Sequence, residues 1–247
     1  MNDSTAPRNA ANSRTMRRLA AALLPVGATL ALASAAPAAA ASDASCPGVE
    51  VVFARGTWEA PGVGATGQAF IDALNARLGA QPVAVYGVDY PASLDFQAAE
   101  GGVADASNEI ESIAASCPDT KIVLGGYSQG AAVAAYTTAD SIPAGLTLPP
   151  DITGPMPQKI ASHIAAVALF GTPDPWFLNL VDHDAPPIAV GNLYAGKTIQ
   201  MCAQGDPVCF PGGLDRSAHS SYKDNGMADQ AAVFVANALS STAQAQS

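Results

Sequence analysis

The residues most able to do chemistry are at Gly126-Tyr127-Ser128-Gln129-Gly130, a G-x-S-x-G pattern. A strand-like IVLG precedes it and a small-residue, helix-forming AAVAAY follows it. A strand that reverses into a helix within a few residues leaves no room for side chains beside its serine, and it strains that serine's backbone. Such a turn presents Ser128 as a nucleophile, with helix amides beginning near Gln129 facing a substrate oxygen. The bland alternative is a serine in a small-residue loop.

A nucleophilic serine needs a base, and the base needs an acid to orient it. Three histidines are available. His163 lies inside KIASHIAAVALF, just before an apolar run, and reads as structural or surface. His183 sits in VDHDAPP, where nothing else resembles a site. His219, in LDRSAHSSY beyond a glycine-rich loop, is the best placed to be presented from a sheet rim. Asp140, Asp151, Asp174, Asp182, Asp184, Asp206 and Asp215 lie between Ser128 and His219. Asp206 stands out within CAQGDPVC, because a Cys202–Cys209 disulfide would close a small loop and hold the carboxylate still. Otherwise GDP is a turn inside a staple, and Asp174, after the Ala165–Gly171 run, is the strongest rival. The resulting order is Ser, Asp, His. Ser128 attacks a carbonyl, His219 accepts and returns the proton, and Asp206 fixes the imidazole. A base must be neutral, so activity is expected to fall below about pH 6 to 7.

These residues need a scaffold, and the chain alternates strand and helix patterns. Val49–Ala54, Pro82–Val88, Lys121–Gly126 and Ala165–Gly171 are short apolar runs, and Thr198–Cys202 is a shorter one. Ala65–Gly79 carries Phe70, Ile71, Leu74 and Leu78 at helical spacing, and Asp95–Ser116 is mostly helical. A final helix is expected from about Ser220 to Leu239. Proline-rich Asp140–Lys159 reads as a surface excursion, and the last residues as a frayed tail. The alternation argues for a mostly parallel sheet with helices on both faces.

Residues 1–41 are set aside as a leader. Arg14, Arg17 and Arg18 precede an apolar run from Leu19 to about Ala33 and then APAAAAS, the three parts of a secretory signal. Met16 is a possible alternative start. Residues 42–247 then form one exported domain of about 206 residues, enough for one core. From Ser42 onward, seven Lys and Arg face twenty Asp and Glu, a net charge of −13. That balance provides no footprint for nucleic acid or for anionic membranes. Cys46, Cys117, Cys202 and Cys209 all fall in the exported part, an even count that reads as two disulfides with three pairings open. Their spacings do not suit a metal.

Four pieces, VVFARGTWEAPGVG, GGYSQGA, CAQGDPVC and H-S-S-Y, occur in this order across nearly the whole region. In these the chain resembles the cutinase family of secreted serine esterases, particularly its bacterial, actinomycete-like members. The resemblance implies a three-layer α/β/α sandwich, an α/β-hydrolase fold with five central parallel strands and no large lid. It implies Ser128, Asp206 and His219 as the catalytic residues, and an oxyanion hole from the backbone amides of Thr57 and Gln129. Fungal members usually carry serine at the first of these positions. Threonine keeps the hydroxyl, but its methyl restricts the rotamer. The implied disulfides are Cys46–Cys117 and Cys202–Cys209.

Arg55 reads as a structural ion-pair partner rather than a substrate group. Phe210, Pro211 and Leu214 near the base, and Tyr90, Pro91, Leu94 and Phe96 before the elbow, are candidate apolar rims for an acyl chain or polymer surface. Core packing competes with that reading at each position. The expected function is hydrolysis of cutin and of short- to medium-chain esters through an acyl-enzyme, with no cofactor or metal, by a monomer. Synthetic polyesters extend that range. The alternatives are a lipase, phospholipase or thioesterase acting on longer chains, and a secreted binding protein on a hydrolase scaffold.

Overall fold

The computed structural model describes residues 46–150 and 152–244, so the leader expected at residues 1–41 and Asp151 lie outside the described residues. The elements run β1 (Val49–Ala54), α1 (Gly64–Leu78), β2 (Val83–Gly87), α2 (Glu100–Ser116), β3 (Lys121–Tyr127) and α3 (Gln129–Thr137). They continue with β4 (Ile164–Phe170), α4 (Pro175–Val181), α5 (Asn192–Ala195), β5 (Thr198–Met201), α6 (Arg216–His219) and α7 (Met227–Gln244).

All five strands are parallel, in the order β2-β1-β3-β4-β5. Helices cover both faces, so strands read as near-continuous apolar runs rather than alternating ones. Every residue of β4 is buried. The side chains of β1 divide between two cores. Val49, Val51 and Phe53 pack on the α1 and α7 side with Phe70, Phe170 and Val235. Val52 and Ala54 pack on the α2 and α3 side with Val103, Ile110 and Val133. Every helix of eight residues or more among the described residues belongs to these two layers, which leaves none to form a large lid. After β1 the chain adds β2 on one side and then crosses to place β3 on the other. The carboxyl ends of β1 and β3 therefore flank the point where strand order reverses, the usual ligand crevice of such sheets. Register sets Ala54 beside Gly126 there.

Three boundaries depart from the sequence reading. The final helix begins at Met227, not Ser220, because Asn225 Oδ1 accepts from the Met227 amide at 3.0 Å and starts the helix there. His219 instead ends the short α6, whose first turn is capped by Asp215 accepting from the Ser217 amide at 2.9 Å. A helix absent from the sequence reading, α4, follows Asp174.

Candidate active site

Ser128 connects β3 to α3 with φ 56° and ψ −119°, a positive-φ conformation that costs a non-glycine residue about 1–3 kcal/mol. Its amide donates to Phe170 O at 2.8 Å, which pins the turn to the end of β4. The flanking glycines are sterically required. A Cβ on Gly126 would stand 2.1 Å from Gly130 O, and one on Gly130 would stand 2.0 Å from Ala54 O. The motif is therefore glycine-bound because α3 folds directly back over β3 and against β1.

His219 Nε2 lies 2.9 Å from Ser128 Oγ. Its Nδ1 lies 3.0 Å and 2.9 Å from the two oxygens of Asp206. A proton on Nδ1, held by the carboxylate, leaves Nε2 as an acceptor for the serine hydroxyl. Asp206 is fully buried. Burial alone would raise its pKa, but hydrogen bonds from His219, Tyr222 and the Val208 amide outweigh that and hold the carboxyl below its usual range. Val208 N–H donates to Oδ1 at 2.8 Å and Tyr222 O–H donates to Oδ2 at 2.5 Å.

Cys202 is bridged to Cys209 and Cys46 to Cys117. Cys202, Asp206 and Cys209 cluster within metal-ligand reach of one another, but the bridge leaves neither sulfur as a thiolate. Two of the rival acids serve elsewhere. Asp174 caps α4 by accepting from Phe177 N at 2.7 Å, and Asp140 accepts from Asn192 N and Nδ2. His163 carries a backbone carbonyl that receives Ile122 N–H, and His183 is exposed just beyond the C-terminal end of α4.

Thr57 follows β1 and Gln129 opens α3 after β3, so both lie just past the carboxyl ends of neighbouring strands. The Gln129 amide belongs to a helix's first turn, which has no acceptor within the helix. The Thr57 amide has no partner among the described residues. Neighbouring loops hold both in place. Trp58, at φ 65°, donates its amide to Ala92 O at 2.7 Å. Gln129 Nε2 donates to Ser93 O at 2.9 Å.

Arg55 is buried, yet it makes no ion pair among the described residues. Its guanidinium donates to the carbonyls of Glu59, Val88 and Tyr90, tying the loops after β1 and β2 together. The carboxylate of Glu59 is already taken by the amides of Gly56 and Ala65, both at 2.7 Å.

Tyr90 is a correction to the rim expected from sequence. It is 4% exposed, its ring lies under Arg55 and its hydroxyl donates to Arg55 O, so it packs in the core. Leu94, Phe210 and Leu214 are exposed, and Phe96 lines a cavity described below. Two supporting residues had no role in the sequence reading. Tyr222, three residues after His219, donates to Asp206 and accepts from Ala203 N–H at 3.1 Å. Tyr127, the x of G-x-S-x-G, donates to His219 O at 2.6 Å and its ring centroid lies 5.1 Å from the imidazole. The spacing signals a turn around each residue but not what its hydroxyl meets.

A five-stranded parallel sheet between two helix layers, with a strained serine where β3 turns into α3, is the architecture of the α/β-hydrolases. Within that class the cutinase model matches residues 45–239, and the chain belongs to the cutinase family. "Probable carboxylesterase Culp5" of Mycobacterium tuberculosis is 53% identical over 170 residues, covering 69% of this chain and 95% of that protein. "Phospholipase Culp4" of the same organism is 43% identical over 227 residues, covering 92% and 93%. Among solved structures, a Trichoderma reesei cutinase bound to a phosphonate inhibitor is 33% identical with a TM-score of 0.57, covering 78% of this chain and 77% of that one. The chain is thus a serine hydrolase with cutinase-like carboxylesterase activity at the family level.

Proposed function

We propose that Ser128, His219 and Asp206 are the catalytic residues of a secreted ester hydrolase acting on cutin and on short- to medium-chain esters, with synthetic polyesters within its range. The observation that carries this reading is His219 bridging Ser128 and Asp206 with 2.9 Å contacts on both sides. Ser128 Oγ attacks the ester carbonyl carbon while His219 Nε2 takes its proton. The carbonyl electrons move onto oxygen, and the amides of Thr57 and Gln129, with the positive end of α3, stabilise that charge. The intermediate collapses by breaking the C–O bond, and His219 protonates the departing alcohol. Water then attacks the acyl-enzyme, giving its proton to His219, and the carboxylic acid leaves as Ser128 recovers its proton. Asp206 stays ionised and steadies the imidazolium.

Residues 1–41 are the export signal in this reading and residues 42–247 the monomeric catalytic domain. No helix among the described residues is long and apolar enough to cross a membrane. The mass of the protein recovered from culture medium tests the cleavage site. Hydrolysis of p-nitrophenyl butyrate and of a polyester film, by wild type and Ser128→Ala in parallel, tests the activity. Unchanged butyrate hydrolysis by the variant would reject the assignment. The relative named a phospholipase supports a second reading, action on longer lipid chains. A rate maximum well above butyrate would favour it.

A further inference from the structure

We propose that the apolar cavity between α2, α3 and α4 receives the acyl chain of the ester, with room for roughly eight carbons. The inference rests on the assignment of Ser128 as the nucleophile.

The cavity holds about 110 Å³. One wall is a single stripe of α3, Gln129, Ala132, Val133 and Tyr136, at the i, i+3, i+4, i+7 spacing of one helix face. Val103 of α2 and Leu178 of α4 close it. The stripe begins at the residue directly after Ser128. A carbonyl bound at the start of α3 can therefore send its carbon chain along the stripe. From Gln129 to Tyr136 the helix rises about 10 Å, which a zigzag of ~1.5 Å bonds covers in roughly eight carbons. Most of the wall surface is apolar, which favours a hydrocarbon chain over water.

The acyl side is favoured over the alcohol by what is missing from the walls. None of the lining residues comes from the 202–222 segment that carries Asp206 and His219. The alcohol oxygen must be protonated by His219 Nε2, so the alcohol leaves on the His219 side. The cavity is bordered instead by residues of α2, α3 and α4.

The charged lining residues are all acidic. Glu100, Asp182 and Asp184 border the space, and no Lys or Arg does. A chain ending in a carboxylate would meet like charge there, so the site takes an uncharged chain end.

The test varies one side of the ester at a time. In p-nitrophenyl esters with acyl chains from two to sixteen carbons, wild type should peak near eight. Ala132→Phe fills the cavity and should move the peak to four carbons or fewer, lowering the octanoate-to-acetate ratio of kcat/KM at least about tenfold. Leu178→Ala enlarges it and should move the peak to longer chains, a shift that misfolding cannot imitate. Octanoate esters of alcohols of increasing size should keep their ranking in both variants. A suberate half-ester should react more slowly than octanoate at low salt and recover as salt is added. An unchanged acyl profile in both variants, or a change confined to the alcohol series, would overturn the proposal. Hydrolysis persisting in Ser128→Ala would instead overturn the nucleophile assignment, whatever the chain-length profile.

Discussion

Tyr222 donates its hydroxyl proton to Asp206 Oδ2 at 2.5 Å, and both side chains are fully buried. A carboxylate that water cannot reach keeps its charge only through such donors. The tyrosine phenol is in turn held protonated, because burial and the adjacent carboxylate both push its pKa upward. Tyr222→Phe leaves one carboxylate oxygen short of a donor. Loss of a hydrogen bond to a charged group predicts a stability decrease of about 1.5–3 kcal/mol in urea unfolding at pH 7. Tyr222 acts through Asp206, so kcat should fall several-fold with KM little changed.

The depressed carboxyl of Asp206 also sets an acid limit on stability. Its folded pKa lies below the value in the unfolded chain, about 3.9. Between the two values the unfolded state binds the additional proton, so stability rises with pH in that window. The contribution is complete above about pH 4 and is lost as pH falls through the lower folded value. Asp206→Asn removes this dependence. The difference in unfolding free energy between pH 7 and pH 3 should shrink in the variant, and an unchanged difference would contradict the shift.

Gly126 and Gly130 test the elbow directly. Added Cβ atoms would fall 2.1 and 2.0 Å from main-chain carbonyl oxygens, far inside van der Waals contact. Backbone must then move. Gly126→Ala or Gly130→Ala should cost about 3 kcal/mol or more and leave Ser128 unreactive. A variant of native stability and activity would show that the turn can relax.

The two disulfides should separate stability from catalysis. Cys46–Cys117 spans 71 residues of sequence and Cys202–Cys209 only 7. In the chain-entropy account, loss of the longer closure costs about 4.4 kcal/mol and loss of the shorter about 2.5 kcal/mol. Cys46→Ser/Cys117→Ser should therefore lower the melting temperature more while keeping kcat. Cys202→Ser/Cys209→Ser should lower kcat, because the loop that it closes carries Asp206. Comparing unfolding curves with butyrate kinetics for each pair tells the two roles apart.

Much of this arrangement was legible in the amino-acid order because parallel strands buried on both faces leave apolar runs such as IAAVALF, and a crowded elbow leaves paired glycines. His219 could be chosen from three histidines for its loop context alone. Less legible was whatever depends on distant partners. The final helix starts at Met227 because of a local Asn225 cap that the longer polar run from Ser220 obscures. Tyr90 and Leu94 stand four residues apart with the same apolar character. Only the fold turns one into the Arg55 clamp and leaves the other at 60% exposure. Tyr222 and Tyr127 carry no pattern that announces their hydroxyl partners, and the cavity exists only once three separate helices have packed.

The central claim is that His219 activates Ser128 as the nucleophile, and serine-directed phosphonate labelling read by mass spectrometry tests it most directly. The account predicts one adduct per chain, mapping to Ser128. Labelling should be absent in Ser128→Ala and slowed at least about a thousandfold in His219→Ala. An adduct on another residue, or equal labelling of wild type and His219→Ala, would contradict it.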